Sequence, residues 1–151
     1  MTQYKLVSKR VGSRSTIDIF LEATAKFQKE VYVEMAHEIV NRSPVDTGTF
    51  VTSHSIARRS GSFPNRVKEK SHGKPRGVDP GPKKAEGLAK LLEDINALPD
   101  GATGIVIQNV SFHAAIVERK HYVFRAVQRN APNIIRDVAA RFDMLPRGAG
   151  N

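Results

Sequence analysis

The chain has no cysteine among its 151 residues, which excludes disulfides, iron-sulfur clusters, thiolate zinc sites and a cysteine nucleophile. Long apolar runs are missing too. The longest, such as Ala114-Ala115-Ile116-Val117, fall far short of the roughly 20 residues that span a bilayer. Asp18 and Glu22 interrupt the basic N-terminal stretch where a signal peptide needs its apolar core. A soluble, intracellular protein with no membrane partner is therefore expected. There is no glycine-rich phosphate loop and no serine elbow, and Gly101-Ala102-Thr103-Gly104 is short enough to be a turn. The five histidines, His37, His54, His72, His113 and His121, have no i, i+4 partner on an expected helix, so no zinc pair results. No catalytic constellation emerges, and neither a cofactor nor a metal is expected.

What the chain does have is positive charge, concentrated in one place. Residues 58–84 carry nine Lys and Arg against two Asp and Glu, whereas residues 1–57 carry seven against six and residues 85–151 eight against seven. Gly, Pro and Ser gather in the same segment and apolar periodicity vanishes there, so it reads as an extended basic arm. The length favours a single domain, 1–151, with this arm inside it and a loose tail at 145–151.

Around the arm the periodicity outlines a small set of elements. Residues 3–8 alternate weakly, as a short strand would. From Ile17 to Asn41 the period becomes helical, with Phe20, Phe27, Val31, Met35 and Ile39 on one stripe expected to pack on the sheet. Thr16 or Ser15 is placed to cap this helix, and Pro44 stops it near Arg42. Thr49 to Ile56 favours a strand through its β-branched and aromatic residues. Pro82 to Leu98 carries Leu88, Leu91, Leu92 and Ile95 at helical spacing, and Gly104 to Val110 reads as a buried strand. Phe112 to Glu118 fits either a strand or a helix. His121 to Phe142 is amphipathic, with Pro132 implying either a break or a helix that starts there. The expected class is α+β: a small, mostly antiparallel sheet packed against a long N-terminal helix and one or two C-terminal helices.

Asp46-Thr47-Gly48 spells the tripeptide of aspartic proteases. That chemistry needs the aspartate at the end of a buried strand, meeting a second copy face to face. Here it follows the end of a helix, so a protease is the remote reading. A rigid corner fits better: Pro44 fixes its backbone, Asp46 is suited to accept amides of Thr47 and Gly48, and Gly48 supplies a positive φ. The basic residues Arg58, Arg59, Arg66, Lys68, Lys70, Lys74, Arg76, Lys83 and Lys84 would neutralise phosphates in a salt-dependent, sequence-independent manner. Phe63 is the segment's one aromatic, so single-strand stacking is not indicated. The same charges equally suit a solvated loop.

The long helix followed by Ser43-Pro44-Val45-Asp46-Thr47-Gly48-Thr49-Phe50 resembles the head-tail joining and tail-completion proteins of long-tailed bacteriophages, the family that includes the minor tail protein Z of phage lambda. Ile107-Gln108-Asn109, Phe112-His113-Ala114 and Val117-Glu118 follow at similar spacing, as do Val78-Asp79-Pro80-Gly81 and Ala131-Pro132-Asn133. The chain departs from the pattern in separating Phe112 from Ala114 by His113. It also carries Arg119-Lys120 where a glycine is usual, with His121 to Asn130 inserted. The resemblance implies a structural, non-enzymatic virion protein assembled in the host cytoplasm into a homo-oligomeric neck ring of six-fold or twelve-fold symmetry. Its partners would be an adjacent neck ring, a portal-side adaptor, tail tube proteins and, non-specifically, the packaged double-stranded DNA. The corner would aim the strand and arm, the arm cations would face the DNA channel or a neighbour, and Glu118, Arg119, Lys120 and His121 would be subunit contacts. The alternative is a small basic DNA-binding accessory protein.

Overall fold

The computed structural model describes residues 10–11, 14–46, 48–58, 79–102 and 104–142, with side chains from residue 22 onward. The expected strand at 3–8, most of the basic segment and the tail at 145–151 lie outside these. The described residues form a small α+β fold of two antiparallel strand pairs and four helices. A short pair, β1 (Arg10–Val11) and β2 (Arg14–Ser15), leads into α1 (Thr16–Arg42). A 3-10 turn (Val51–Ser53) then precedes β3 (His54–Arg58). Beyond the basic segment come α2 (Pro80–Ala97), β4 (Ile105–Asn109), α3 (Ala114–His121) and α4 (Val123–Arg141). No helix among the described residues is long and apolar enough to cross a membrane.

α1 is the axis of the molecule. Both α2 and α4 pack along it, so its apolar residues cover two flanks rather than one stripe. On one side Ala36, Ile39 and Val40 join Leu91 and Ile95 of α2 and Ile56 of β3 in a single buried cluster. On the other, Val31 meets Ile134 and Val138 of α4, and Phe27 stacks edge-on against Phe142 with ring centroids 6.0 Å apart. This corrects the expectation that the whole stripe lies on the sheet. Two five-residue strands are too short to cover a 27-residue helix, so Phe27 and Val31 find their cover on α4. The side chain of Phe20 lies outside the described residues.

β3 and β4 pair from His54 opposite Asn109 to Arg58 opposite Ile105. The other edge of β3 is closed by α2: Asp94 Oδ2 accepts the Ile56 amide at 3.0 Å and the Ser55 hydroxyl at 3.2 Å. An edge that would otherwise expose unpaired backbone is thereby covered.

Two elements differ from the sequence expectation, and a third settles what it left open. The strand expected over Thr49 to Ile56 begins only at His54. Thr52 Oγ1 bonds back to the Gly48 carbonyl at 2.9 Å and Ser53 Oγ to that of Thr49, and these local bonds wind the chain into a 3-10 turn. In Phe112 to Glu118, which fitted either a strand or a helix, the helix α3 begins at Ala114. The break expected at Pro132 falls instead at Tyr122, and α4 runs through the proline. Proline costs a helix interior about 3 kcal/mol; here the ring is exposed, and Val127, Ile134 and Val138 are buried on either side of it. Tyr122 takes the left-handed conformation, with φ of 50°. The Glu118 carboxylate accepts the amides of Phe124 at 3.0 Å and Arg125 at 3.1 Å, so the first turn of α4 is capped across the junction.

Gly87 marks the closest approach in the fold. A Cβ there would lie 2.3 Å from the Val51 carbonyl oxygen. Glycine to alanine inside a helix ordinarily stabilises by up to about 1 kcal/mol. Gly87→Ala is expected to reverse that sign and destabilise the fold by about 2 kcal/mol through the clash with backbone. Urea unfolding measures this, and a variant more stable than the parent would contradict the packing of α2 on the 3-10 turn.

Candidate functional site

The chain leaves α1 through Ser43, whose amide bonds to the carbonyls of Ile39 and Val40. Pro44 then turns it into the corner, where Gly48 has φ of +87° and the Lys83 stem passes so close that a Cβ would lie 2.7 Å from Lys83 Cδ. Asp46 is exposed and follows a helix end; Thr47 lies outside the described residues. α3 stands opposite this corner. Between them opens a cleft of 280 Å³, walled by Pro44, Asp46, Gly48, Thr49 and Phe50 on one side and by His113, Ile116, Val117, Lys120 and His121 on the other, with Ser111 between. Two groups of residues distant in sequence, the corner and the end of α3, thus share one surface feature. Arg119 and Lys120 are exposed at the α3 end, whereas Glu118 turns inward to cap α4.

Behind the cleft lies a buried polar network centred on His54. The Ser43 hydroxyl donates to the Ile39 carbonyl at 2.7 Å and lies 2.8 Å from His54 Nε2. With its one proton committed to the carbonyl, Ser43 Oγ accepts from Nε2–H. Nδ1 is then the unprotonated nitrogen, and it accepts from Asn109 Nδ2 at 3.1 Å. The same Asn109 amide donates to the Phe50 carbonyl at 2.7 Å, while its Oδ1 accepts the Ser111 amide at 2.9 Å. Every polar atom of this histidine and asparagine has a role, and the network is consistent with only one tautomer. Phe50 and Phe124 stand edge-on to the imidazole, with centroids 5.0 and 5.5 Å away. Burial among them pushes the His54 pKa from 6.5 down to about 4. The Ser111 hydroxyl is the exception, buried with no hydrogen-bond partner among the described residues.

Of the nine basic residues singled out from the sequence, Arg58, Lys83 and Lys84 lie among the described residues, while Arg59, Arg66, Lys68, Lys70, Lys74 and Arg76 do not. Arg58 is exposed at the end of β3. The two lysines have partners within the fold. Lys84 Nζ donates to the Asn41 carbonyl at 2.7 Å, at the carbonyl-rich end of α1 where a cation is favoured. Lys83 pairs with Glu86 at 3.1 Å. Among the described residues no group of three or more His, Asp or Glu side chains is placed to hold a metal ion.

The His54–Asn109 pair escaped the sequence reading. A lone histidine within a strand was its one local signal, and nothing local announces that Asn109 lies opposite it. Asp94 was likewise invisible, since a carboxylate beside an apolar helical stripe ordinarily faces solvent. Comparison with protein-family models, curated proteins and solved structures gives no match for this chain.

The network makes stability acid-sensitive in a defined window. The unfolded chain takes up a proton on His54 near pH 6.5, the folded chain only near pH 4. Between those values the unfolded state binds more protons, so stability falls as the pH drops through the window and levels off below it. The His54 contribution to that loss is about 3 kcal/mol. Urea midpoints recorded between about pH 7 and 4 should show the decline, and His54→Gln should remove that part of it; equal slopes in parent and variant would contradict the assignment.

Proposed function

We propose that this chain is a structural, non-enzymatic protein of the neck of a long-tailed bacteriophage. In this reading it is a subunit of a homo-oligomeric ring that joins the DNA-filled head to the tail, as a connector, terminator or tail-completion protein. The observation that carries the reading is the meeting of the two stretches on which the family resemblance rests. Ser43 to Phe50 and Ile107 to Glu118 are distant in sequence, yet Asn109 bonds the Phe50 carbonyl, and both stretches wall one cleft. Motifs joined in this way support a shared structural role better than motifs scattered over a surface.

The flank of α3 has the mixed character of a subunit contact. Phe112 is 47% and Ile116 59% exposed, with Arg119, Lys120 and His121 beside them. Apolar residues rimmed by charge are what repeated heterologous contacts around a ring axis require. The corner, braced from behind by His54, gives that flank a fixed platform, and in this reading the basic segment beyond β3 serves the DNA path or a neighbouring ring. The second reading, a small accessory DNA-binding protein, is favoured by the net charge of +9 and requires no ring.

Electron microscopy of particles assembled without this protein separates the two. Unjoined heads and tails are expected, with ring density at the junction restored when the chain is supplied. Normal, infectious particles would contradict the neck role.

A further inference from the structure

We propose that the exposed face of α4 binds the phosphate backbone of duplex DNA through Arg125, Arg129 and Arg136. The inference stands apart from the neck reading, because it concerns binding by the chain itself. It also does not use the basic segment between β3 and α2. The three arginines follow one another at intervals of four and seven residues. At 3.6 residues per turn they fall within about 40° of one another around the helix, and at 1.5 Å rise they stand about 6 and 10.5 Å apart along it. All three are exposed. The residue between them on that face is Pro132, with Asn133 to one side. The result is a positive ridge along one face of α4.

The acids near this ridge do little to neutralise it. Glu38 is turned inward, where it pairs with Arg42 at 2.8 Å and accepts Asn130 Nδ2 at 2.8 Å. Glu118 uses both carboxylate oxygens on the first amides of α4. Asp137 lies roughly 100° around the helix from Arg136. The two approach within 3.8 Å as a solvent-exposed pair, which contributes little in water. Arg129 has no ion-pair or hydrogen-bond partner among the described residues, and it borders a shallow hollow shared with Arg42 and Asn130. Arg125 rests 5.3 Å from the centroid of the exposed Tyr122 ring, which steadies it at the start of the row.

The chemistry of the face selects the partner. Stable protein interfaces have an apolar centre depleted of charge. This face has arginines, a proline and an asparagine; the exposed Tyr122 ring lies at its edge beside Arg125, and the exposed Ile135 lies roughly 100° away around the helix. A row of guanidinium groups without an apolar centre fits a regular line of phosphates. Binding would be insensitive to base sequence, since contacts to phosphates position a protein without reading bases.

The test is fluorescence anisotropy of a short labelled duplex titrated with the full chain between about 50 and 200 mM salt. Affinity on the order of micromolar is expected at the low-salt end, falling linearly with salt on logarithmic axes. Arg125→Gln/Arg129→Gln/Arg136→Gln should weaken binding about tenfold or more at low salt and make the salt slope shallower by about 3, one phosphate contact per arginine. The corresponding triple lysine variant should keep the slope. Far-UV circular dichroism and urea midpoints establish that the variants remain folded. A slope unchanged in the glutamine variant would overturn the proposal, as would absence of duplex binding by the parent chain. So would competition by polyglutamate as effective as that by unlabelled duplex, which would make the partner an acidic protein.

Discussion

The buried imidazole of His54 holds together the end of α1, the corner, the end of β4 and the entry to α3. It does so by occupying a position where each neighbour has one unmet hydrogen-bonding need. Ser43 has an oxygen free to accept, Asn109 has an amide proton to give, and the carbonyl of Phe50 and the amide of Ser111 take the remaining valences of Asn109. In a medium of low polarity such a network is stable only when complete. Protonation of the imidazole would set a donor against the Asn109 amide, so its fully neutral state and the closed corner are one condition.

The rest of the architecture follows from α1 being covered on two flanks. With α2 on one side and α4 on the other, the ends of three helices gather near the corner, and the short sheet closes the space between α2 and the turn. Contacts that no single element could supply then become available. Asp94 seals the β3 edge, Lys84 meets the carbonyls at the end of α1, and Gly87 admits the 3-10 turn to within backbone contact. The flank of α3 stays exposed because nothing in the described chain lies over it, and the Glu118 cap fixes its direction relative to α4.

Legibility from sequence varied with how local the determining physics is. α1 was readable to within a residue at each end because its start and stop signals, Ser15-Thr16 and Pro44, are neighbours of the apolar period. α2 and β4 were readable for the same reason. The start of β3 was not, because two hydroxyls folding back on Gly48 and Thr49 outweigh β-propensity. Pro132 misled because a helix tolerates proline when packing on either side supplies more than the lost bond, and packing is not local. The corner was visible as Pro44 and Gly48, but the cleft was not, since it needs α3 brought across from residues more distant in the chain. His54 carried no motif at all: its role comes from a cross-strand partner and a helix end.

The central claim is that one neutral, Nε2-protonated histidine braces the corner against α3. Nitrogen-15 chemical shifts of the His54 ring, followed by NMR as the pH is lowered, test it most directly. The account predicts a single Nε2–H tautomer near neutral pH that persists well below 6.5, with titration near 4. A ring that titrates near 6.5, or that exchanges between tautomers, would contradict it.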